Sequence, residues 1–151
     1  MEKGVKIKFT DKEYWLFTIL LLLMLIIIIT LSAFSNFYPG GYLFETSDNE
    51  VFIEKGTLKK ETYNFTITKD NELRIALLES NIDQLKIIWY VSLISMTAIL
   101  IGAVNFLRLK NKIFFKFTLF LFILFLIIIF ISYMNYINNN IESLILNLKR
   151  T

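Results

Sequence analysis

The charged side chains divide this chain into three long apolar runs. No charged residue occurs inside these runs, which lie between Glu13 and Glu45, between Lys86 and Arg108, and between Lys116 and Glu142. An α-helix rises about 1.5 Å per residue, so about 20 apolar residues cross a hydrocarbon core of about 30 Å. The pattern therefore predicts three transmembrane helices, at residues 14–35, 87–107 and 113–137.

Between the first and second runs, the pattern changes from continuous to alternating. Pro39-Gly40-Gly41 predicts a break after the first helix. Residues 63–68 alternate apolar and polar side chains, and a turn at Lys69-Asp70-Asn71 is followed by a second alternating run, Leu73–Leu77. A period of two is typical of strands, so we expect these runs to form a β-hairpin. With weaker strands at 42–45 and 51–54, the prediction is an antiparallel sheet of about four strands.

Two features predict how the remaining helices begin and end. Asn81 and Gln84 have the spacing of a helix-capping pair, which predicts that the second helix starts near Ile82 and continues into the membrane. The tail 138–151 has Ile141, Leu144, Ile145 and Leu148 on one helical face. This amphipathic tail either lies along the membrane surface or prolongs the third helix.

Basic residues predict the orientation, because short cytoplasmic segments carry an excess of Lys and Arg. They are dense in the N-terminal segment 1–13 and in the link 108–112, which we expect to be cytoplasmic. Residues 36–86, richer in acids, and the tail 138–151 are then extracytoplasmic. The predicted fold is a membrane all-α protein of three transmembrane helices, with a small extracytoplasmic antiparallel β domain inserted between helices 1 and 2. We expect a multi-pass protein of the cell membrane.

Composition narrows the chemistry. The chain is 56% hydrophobic and carries a formal charge of +3, without Cys or His. Disulfides, thiolate catalysis, His-bound metals and a Ser-His-Asp triad are thereby excluded. No charged side chain lies at the centre of a predicted span, which argues against an ion pathway. We expect a protein that is not an enzyme, with no catalytic residue, no cofactor or metal site, and no nucleic-acid partner.

The second helix carries the most distinctive pattern of the three. A stripe of small and polar residues follows one helical face: Ser95, Ala98, Gly102 and Asn105. Small residues let helix backbones approach closely, and Asn can hydrogen-bond across the contact. The stripe predicts helix packing. Its partner is either another helix of this chain, the preferred interpretation, or a second membrane protein or another copy of the chain.

The β-rich segment has two further polar features. Asn64-Phe65-Thr66 matches the acceptor pattern for N-glycosylation, which makes Asn64 a candidate modification site. The acids of this segment, Glu45, Asp48, Glu50 and Glu54, match no calcium loop and are interpreted as solvated surface charge.

Three functions are compatible with these patterns. We expect a non-catalytic accessory or structural subunit that presents a small outer β domain. The alternative is a ligand-sensing or immunity-type protein that binds a peptide, a lipid or an envelope component through that domain. An enzyme acting on lipid through outer carboxylates or tyrosines ranks last.

Overall fold

The computed structural model describes residues 10–35, 38–47, 49–56 and 60–150. Its helices are α1 (Asp11–Ser35), α2 (Glu72–Arg108), α3 (Lys112–Tyr136) and α4 (Ser143–Leu148), and its strands are β1 (Leu43–Ser47), β2 (Glu50–Lys55) and β3 (Glu61–Thr66). A π-helical segment, Ile137–Glu142, joins α3 to α4 without a break. Predictions that concern residues 1–9, including the basic residues Lys3, Lys6 and Lys8, lie outside the described residues.

Within the described residues, three helical segments are long and apolar enough to cross a membrane, as predicted. They are Asp11–Phe34, Glu72–Arg108 and Lys112–Leu148, with mean hydropathies of 3.0, 2.2 and 2.9 over their most apolar windows. The second and third contain 37 residues each, a length of about 55 Å that exceeds the hydrocarbon thickness by about 25 Å. When such a helix crosses a membrane, part of it therefore extends beyond the hydrocarbon core.

α2 packs against both α1 and α3. It turns into α3 through a tight reversal in which the Asn111 N–H donates to the Phe106 carbonyl and the Lys110 N–H donates to the Leu107 carbonyl. This pattern is a Schellman motif, with Lys110 at φ 56° in the position that usually holds Gly. The Asn111 side chain then caps α3 by accepting from the Phe114 N–H at 3.3 Å.

The three strands form an antiparallel sheet in the order β1-β2-β3. One face of the sheet packs on the projecting ends of the helices, residues 72–86 of α2 and residues 133–148 at the end of the chain. We call the sheet and these two helical ends the head. Its core includes Tyr42, Val51 and Ile53 from the sheet side and Leu78, Ile82, Leu85, Ile141 and Ile145 from the helices, each at most 1% exposed.

The predicted strand at Leu73–Leu77 is wrong, because α2 already begins at Glu72. The described residues contain three strands, not four. The turn at Lys69-Asp70-Asn71 is present, but it leads from β3 into a helix. Asn71 fixes it by accepting from the Thr68 N–H at 2.8 Å and donating to the Thr66 carbonyl at 2.9 Å.

The reason for the error is visible in a longer window of sequence. The buried positions of this part of α2 are Ile75, Leu78, Ile82 and Leu85, a spacing of three and four residues that belongs to a helix. The alternation of Leu73, Ile75 and Leu77 is coincidental, since Leu73 and Leu77 are exposed.

Two further predictions about helix ends are resolved. The expected start of α2 near Ile82 is wrong, because Asn81 and Gln84 lie inside the helix and bind the end of the third helix instead. Of the two alternatives for the tail, the second is confirmed: residues through Leu148 prolong the third helix.

Candidate functional site: the open face of the sheet

The register of the sheet defines which strand residues share a face. Val51 and Ile53 are fully buried, and their Cα partners Phe65, Tyr63 and Phe44 pack against the same core. The residues between them therefore point to the opposite side. We call that side the open sheet face, and its residues are Leu43, Glu45, Ser47, Glu50, Phe52, Glu54, Thr62, Asn64 and Thr66.

Phe52 lies at the centre of the open sheet face. Its Cα partners are Glu45 on β1 and Asn64 on β3, both of which are exposed. Phe52 is half-buried and, unlike the aromatic residues of the opposite face, is not packed against the core. Phe52 is therefore an apolar side chain on a face that is otherwise mostly polar and that the helices leave uncovered.

Carboxylates give this face an acidic character. Glu45 and Glu50 are exposed, and Glu54 forms an ion pair with Lys60 at 2.7 Å. The described residues contain no group of three or more Asp, Glu, His or Cys side chains that could hold a metal ion. The acids predicted to be solvated surface charge are exposed at Glu45 and Glu50, while Asp48 lies outside the described residues.

The opposite face is fixed to the helices by a polar cluster around Glu142. The Tyr42 hydroxyl donates to Glu142 Oε1 at 2.5 Å, and the Lys55 ammonium forms an ion pair with the same carboxylate oxygen. Burial opposes the ionisation of Glu142, but the hydrogen bonds from Lys55 and Tyr42 outweigh it and lower its pKa. Burial raises the pKa of Tyr42, and its hydrogen bond to Glu142 raises it further, so Tyr42 remains a neutral donor.

Tyrosines complete the junction between the sheet, the loop after α1 and the two helices. Tyr38 donates to the Tyr42 carbonyl, and Tyr133 donates to the Pro39 carbonyl at 2.7 Å. On the neighbouring side, the Tyr136 hydroxyl donates to Gln84 Oε1 at 2.7 Å. Gly40 has φ 91°, a backbone conformation that favours glycine. A Cβ at this position would also lie 3.1 Å from the Tyr42 ring. The sheet is therefore joined rigidly to the ends of both long helices.

The predicted stripe on α2 is only partly covered. Ala98 and Asn105 are exposed, and Ser95 and Gly102 are half-buried. A Cβ placed on Gly102 would meet no atom within 4 Å, so neither α1 nor α3 approaches this glycine closely. The fully covered positions of this half of α2 are Ser92 and Ala103 instead. Packing of the stripe against another chain stays a prediction.

Asn64, the predicted glycosylation site, is exposed on β3 and shares the open sheet face with Thr66. Its modification stays a prediction. A glycan at this position would stand beside Phe52, its register partner, and would cover the centre of the face.

Neither Phe52 nor the Glu142 cluster follows from the sequence pattern alone. Phe52 could be assigned to a face only after the register with β1 and β3 was known. Glu142 lies 100 residues from Tyr42 in the sequence, and its other partner, Lys55, is also remote. The signal that was available is the isolated Glu142 in an otherwise uncharged helical stretch that follows a long apolar run.

Comparison with known protein families, with characterised proteins and with solved structures finds no match to this chain.

Proposed function

We propose that this protein is a non-catalytic membrane subunit that presents the open sheet face to a protein partner outside the membrane. The observation that carries the proposal is the position of Phe52, half-buried at the centre of a sheet face that the helices leave uncovered. The surrounding carboxylates favour a partner that carries Lys or Arg side chains, because opposite charges steer association and fix the register of contact.

The proposed topology follows the charge distribution. The head would be extracytoplasmic, and the link between α2 and α3, with Arg108, Lys110 and Lys112, would be cytoplasmic. The proposed membrane is the cell membrane. In this arrangement the lipid bilayer surrounds the apolar middle of all three helices, and the two long helices carry the head away from the membrane surface.

The chain offers a direct test of this topology because it contains no Cys. Single variants Thr62→Cys, on the open sheet face, and Lys110→Cys, in the link, would be treated with a membrane-impermeant maleimide in intact cells. We expect labelling of Thr62→Cys in intact cells and labelling of Lys110→Cys only after permeabilisation. The reverse pattern would contradict the proposed orientation.

The partner is tested by crosslinking in native membranes. A photo-crosslinking amino acid would replace Phe52 in one variant and Leu73 in a control, since Leu73 is 82% exposed on the helical side of the head. We expect a specific protein adduct from position 52 that is absent from position 73. Reversal of charge in Glu45→Lys should weaken the adduct, whereas Glu79→Lys, on the exposed surface of α2, should not.

Two results would contradict the subunit proposal. One is equal adduct formation from positions 52 and 73. The other is recovery of the protein as a monomer of normal stability after gentle detergent extraction, with no adduct from position 52.

The sensing alternative is favoured by a different observation, the continuity of α2. This helix runs unbroken from the head at Glu72 to Arg108 at the opposite end, so a ligand on the sheet could move the far end of the helix. Substitution of Lys86 and Ile87 by Gly would loosen α2 between the head and the membrane. A sensor should lose its response in this variant, whereas a subunit should keep its partner.

A further inference from the structure

The end of the molecule opposite the head contains a groove between α1 and α2. We call it the Gly102 groove, and its lining includes Tyr14 and Trp15 of α1 and Ile101, Gly102, Asn105 and Arg108 of α2. Its volume is about 270 Å³. The groove exists because Gly102 has no side chain and because neither neighbouring helix fills the space beside it.

The polarity of the groove changes along its length. Arg108 and Asn105 lie at the end nearer the link, and Gly102 and Ile101 lie one to two turns further into the apolar part of α2. Tyr14 and Trp15 lie at the level where α1 begins its apolar run, as is typical of residues at a membrane interface. A ligand for this groove should therefore have a polar end and an apolar end, in that order.

Charge at this end of the molecule favours an anionic ligand. Lys110 and Lys112 follow Arg108 in the sequence. The N-terminus of α3, which carries partial positive charge, also lies here, opposite the partially negative C-terminus of α2. The carboxylates of Asp11 and Glu13 occupy the first turn of α1, so the anion would be bound by the basic side chains. Arg108 is 39% exposed and contacts Asp11 at 3.5 Å, a distance at the long end for an ion pair. Because Asp11 is itself 83% exposed, it holds Arg108 weakly.

We infer that the Gly102 groove binds one anionic membrane phospholipid. Arg108 and Asn105 would bind the phosphate, and one acyl chain would lie along Gly102. Clusters of basic residues at the ends of transmembrane helices are known to bind lipid headgroups in this way. The guanidinium is suited to phosphate because it presents two parallel N–H donors.

The test uses the whole chain in lipid nanodiscs and native mass measurement of the lipids retained after release. Nanodiscs would contain phosphatidylglycerol, phosphatidylcholine, or equal parts of the two. We expect the released protein to retain one phosphatidylglycerol in preference to phosphatidylcholine by about tenfold, the effect of one charge-assisted contact.

Two substitutions in the groove should abolish this preference. Gly102→Leu fills the acyl channel without meeting any protein atom within 4 Å at its Cβ, so the fold should be retained. Arg108→Gln removes the phosphate ligand. Each has a matched control outside the groove: Ala33→Leu adds similar bulk at an exposed position near the opposite end of α1, and Lys116→Gln removes the same charge from an exposed position of α3. Both controls should retain the lipid as the natural sequence does.

A third variant should act in the opposite direction. Asp11→Asn removes the carboxylate that competes with the phosphate for Arg108, so retention of phosphatidylglycerol should increase. A decrease would contradict the assignment of Arg108 as the phosphate ligand.

Other outcomes would overturn the inference. Equal loss of lipid in Arg108→Gln and Lys116→Gln would indicate general attraction to a charged surface instead of a site. Equal retention of phosphatidylcholine and phosphatidylglycerol would contradict the requirement for an anion. A lipid-free dimer that Gly102→Leu disrupts would indicate that a second copy of the chain, and not a lipid, occupies the groove. Each result is independent of the open sheet face, so failure here leaves the proposed subunit role standing.

Discussion

In the head, Val51, Ile53 and Leu78 are completely buried, whereas no residue is buried within the most apolar window of the third helix. In the corresponding stretches of the first and second helices, 6% and 11% of the residues are buried. Both regions contain many large apolar side chains, but they use them differently. The head removes them from solvent by packing them on one another. The apolar stretches of the three helices leave these side chains on the surface.

The difference follows from the solvent that each region is suited to. In water, burial of apolar surface contributes about 25 cal/mol per Å² and holds a small domain together. Between helices in lipid this contribution is missing, because acyl chains are as apolar as Leu, and association depends on packing and on interhelical hydrogen bonds. The head should therefore be the cooperative, stable unit, and the three helices should depend on lipid or on a partner.

The largest expected effect comes from the same substitution made in both regions. Ile53→Ala removes a fully buried side chain from the head and should lower its free energy of unfolding by about 2–5 kcal/mol. Ile123→Ala changes a residue that is 51% exposed on α3, where lipid would fill the space, and should have little effect. Near-UV circular dichroism during denaturation in detergent measures the difference. Equal destabilisation by both substitutions would contradict the division into two regions.

The second prediction concerns the polar cluster that joins the sheet to the helices. Glu142→Gln removes the ion pair with Lys55 and weakens the bond from Tyr42. Hydrogen bonds to a charged group contribute about 1.5–3 kcal/mol, and we expect a loss in this range. The matched substitution Glu54→Gln breaks the exposed pair with Lys60 and should cost at most about 1 kcal/mol.

The same cluster predicts a dependence on pH. Because the pKa of Glu142 is lower in the folded protein than its ordinary value of 4.5, the carboxylate stabilises the head fully above that value. This contribution is lost as the pH falls below 4.5 and through the lowered pKa. Denaturation midpoints measured between neutral and acidic pH should decline in the natural sequence. In Glu142→Gln the decline should be shallower, and an identical decline in both would contradict this role for Glu142.

The helices of the apolar part could be predicted from sequence because their signal is local. An uncharged stretch of sufficient length identifies a membrane-crossing helix without any knowledge of its neighbours. The break at Pro39-Gly40-Gly41, the turn at Lys69-Asp70-Asn71 and the strands β1, β2 and β3 were also readable, because turn residues and alternation are local as well.

The head could be predicted only in part because its construction is not local. The alternation of Leu73–Leu77 predicts a strand over a short window, whereas the spacing of Ile75, Leu78 and Ile82 over a longer window is that of a helix. The helix is favoured over the strand because Val51 and Ile53 of the sheet pack against its apolar face. The open sheet face, the Glu142 cluster and the Gly102 groove each combine residues from separate elements, so none of them has a signature in one stretch of sequence.

The smallest predicted effect tests how loosely α1 is attached. Trp89 Nε1 donates to Ser32 Oγ at 3.2 Å, which links α2 to α1 near the head, and Ser32 is 2% exposed. Trp89→Phe removes the donor but keeps an aromatic ring. Interhelical hydrogen bonds in membranes contribute about 0.6 kcal/mol and at most about 1.7 kcal/mol. The head should therefore remain folded while the end of α1 becomes less well fixed.

Spin labels measure this directly, since the chain has no Cys of its own. Labels on Phe34→Cys and Ile87→Cys, which replace side chains that are 87% and 59% exposed, report the separation of α1 and α2 beside the hydrogen bond. Trp89→Phe should broaden the distance distribution, whereas Trp15→Phe, at an exposed position near the other end of α1, should leave it unchanged. If Trp89→Phe has no effect on the distribution, apolar packing and lipid hold α1 in place without help from this bond. The helical part would then depend on its surroundings even more strongly than the comparison with the head implies.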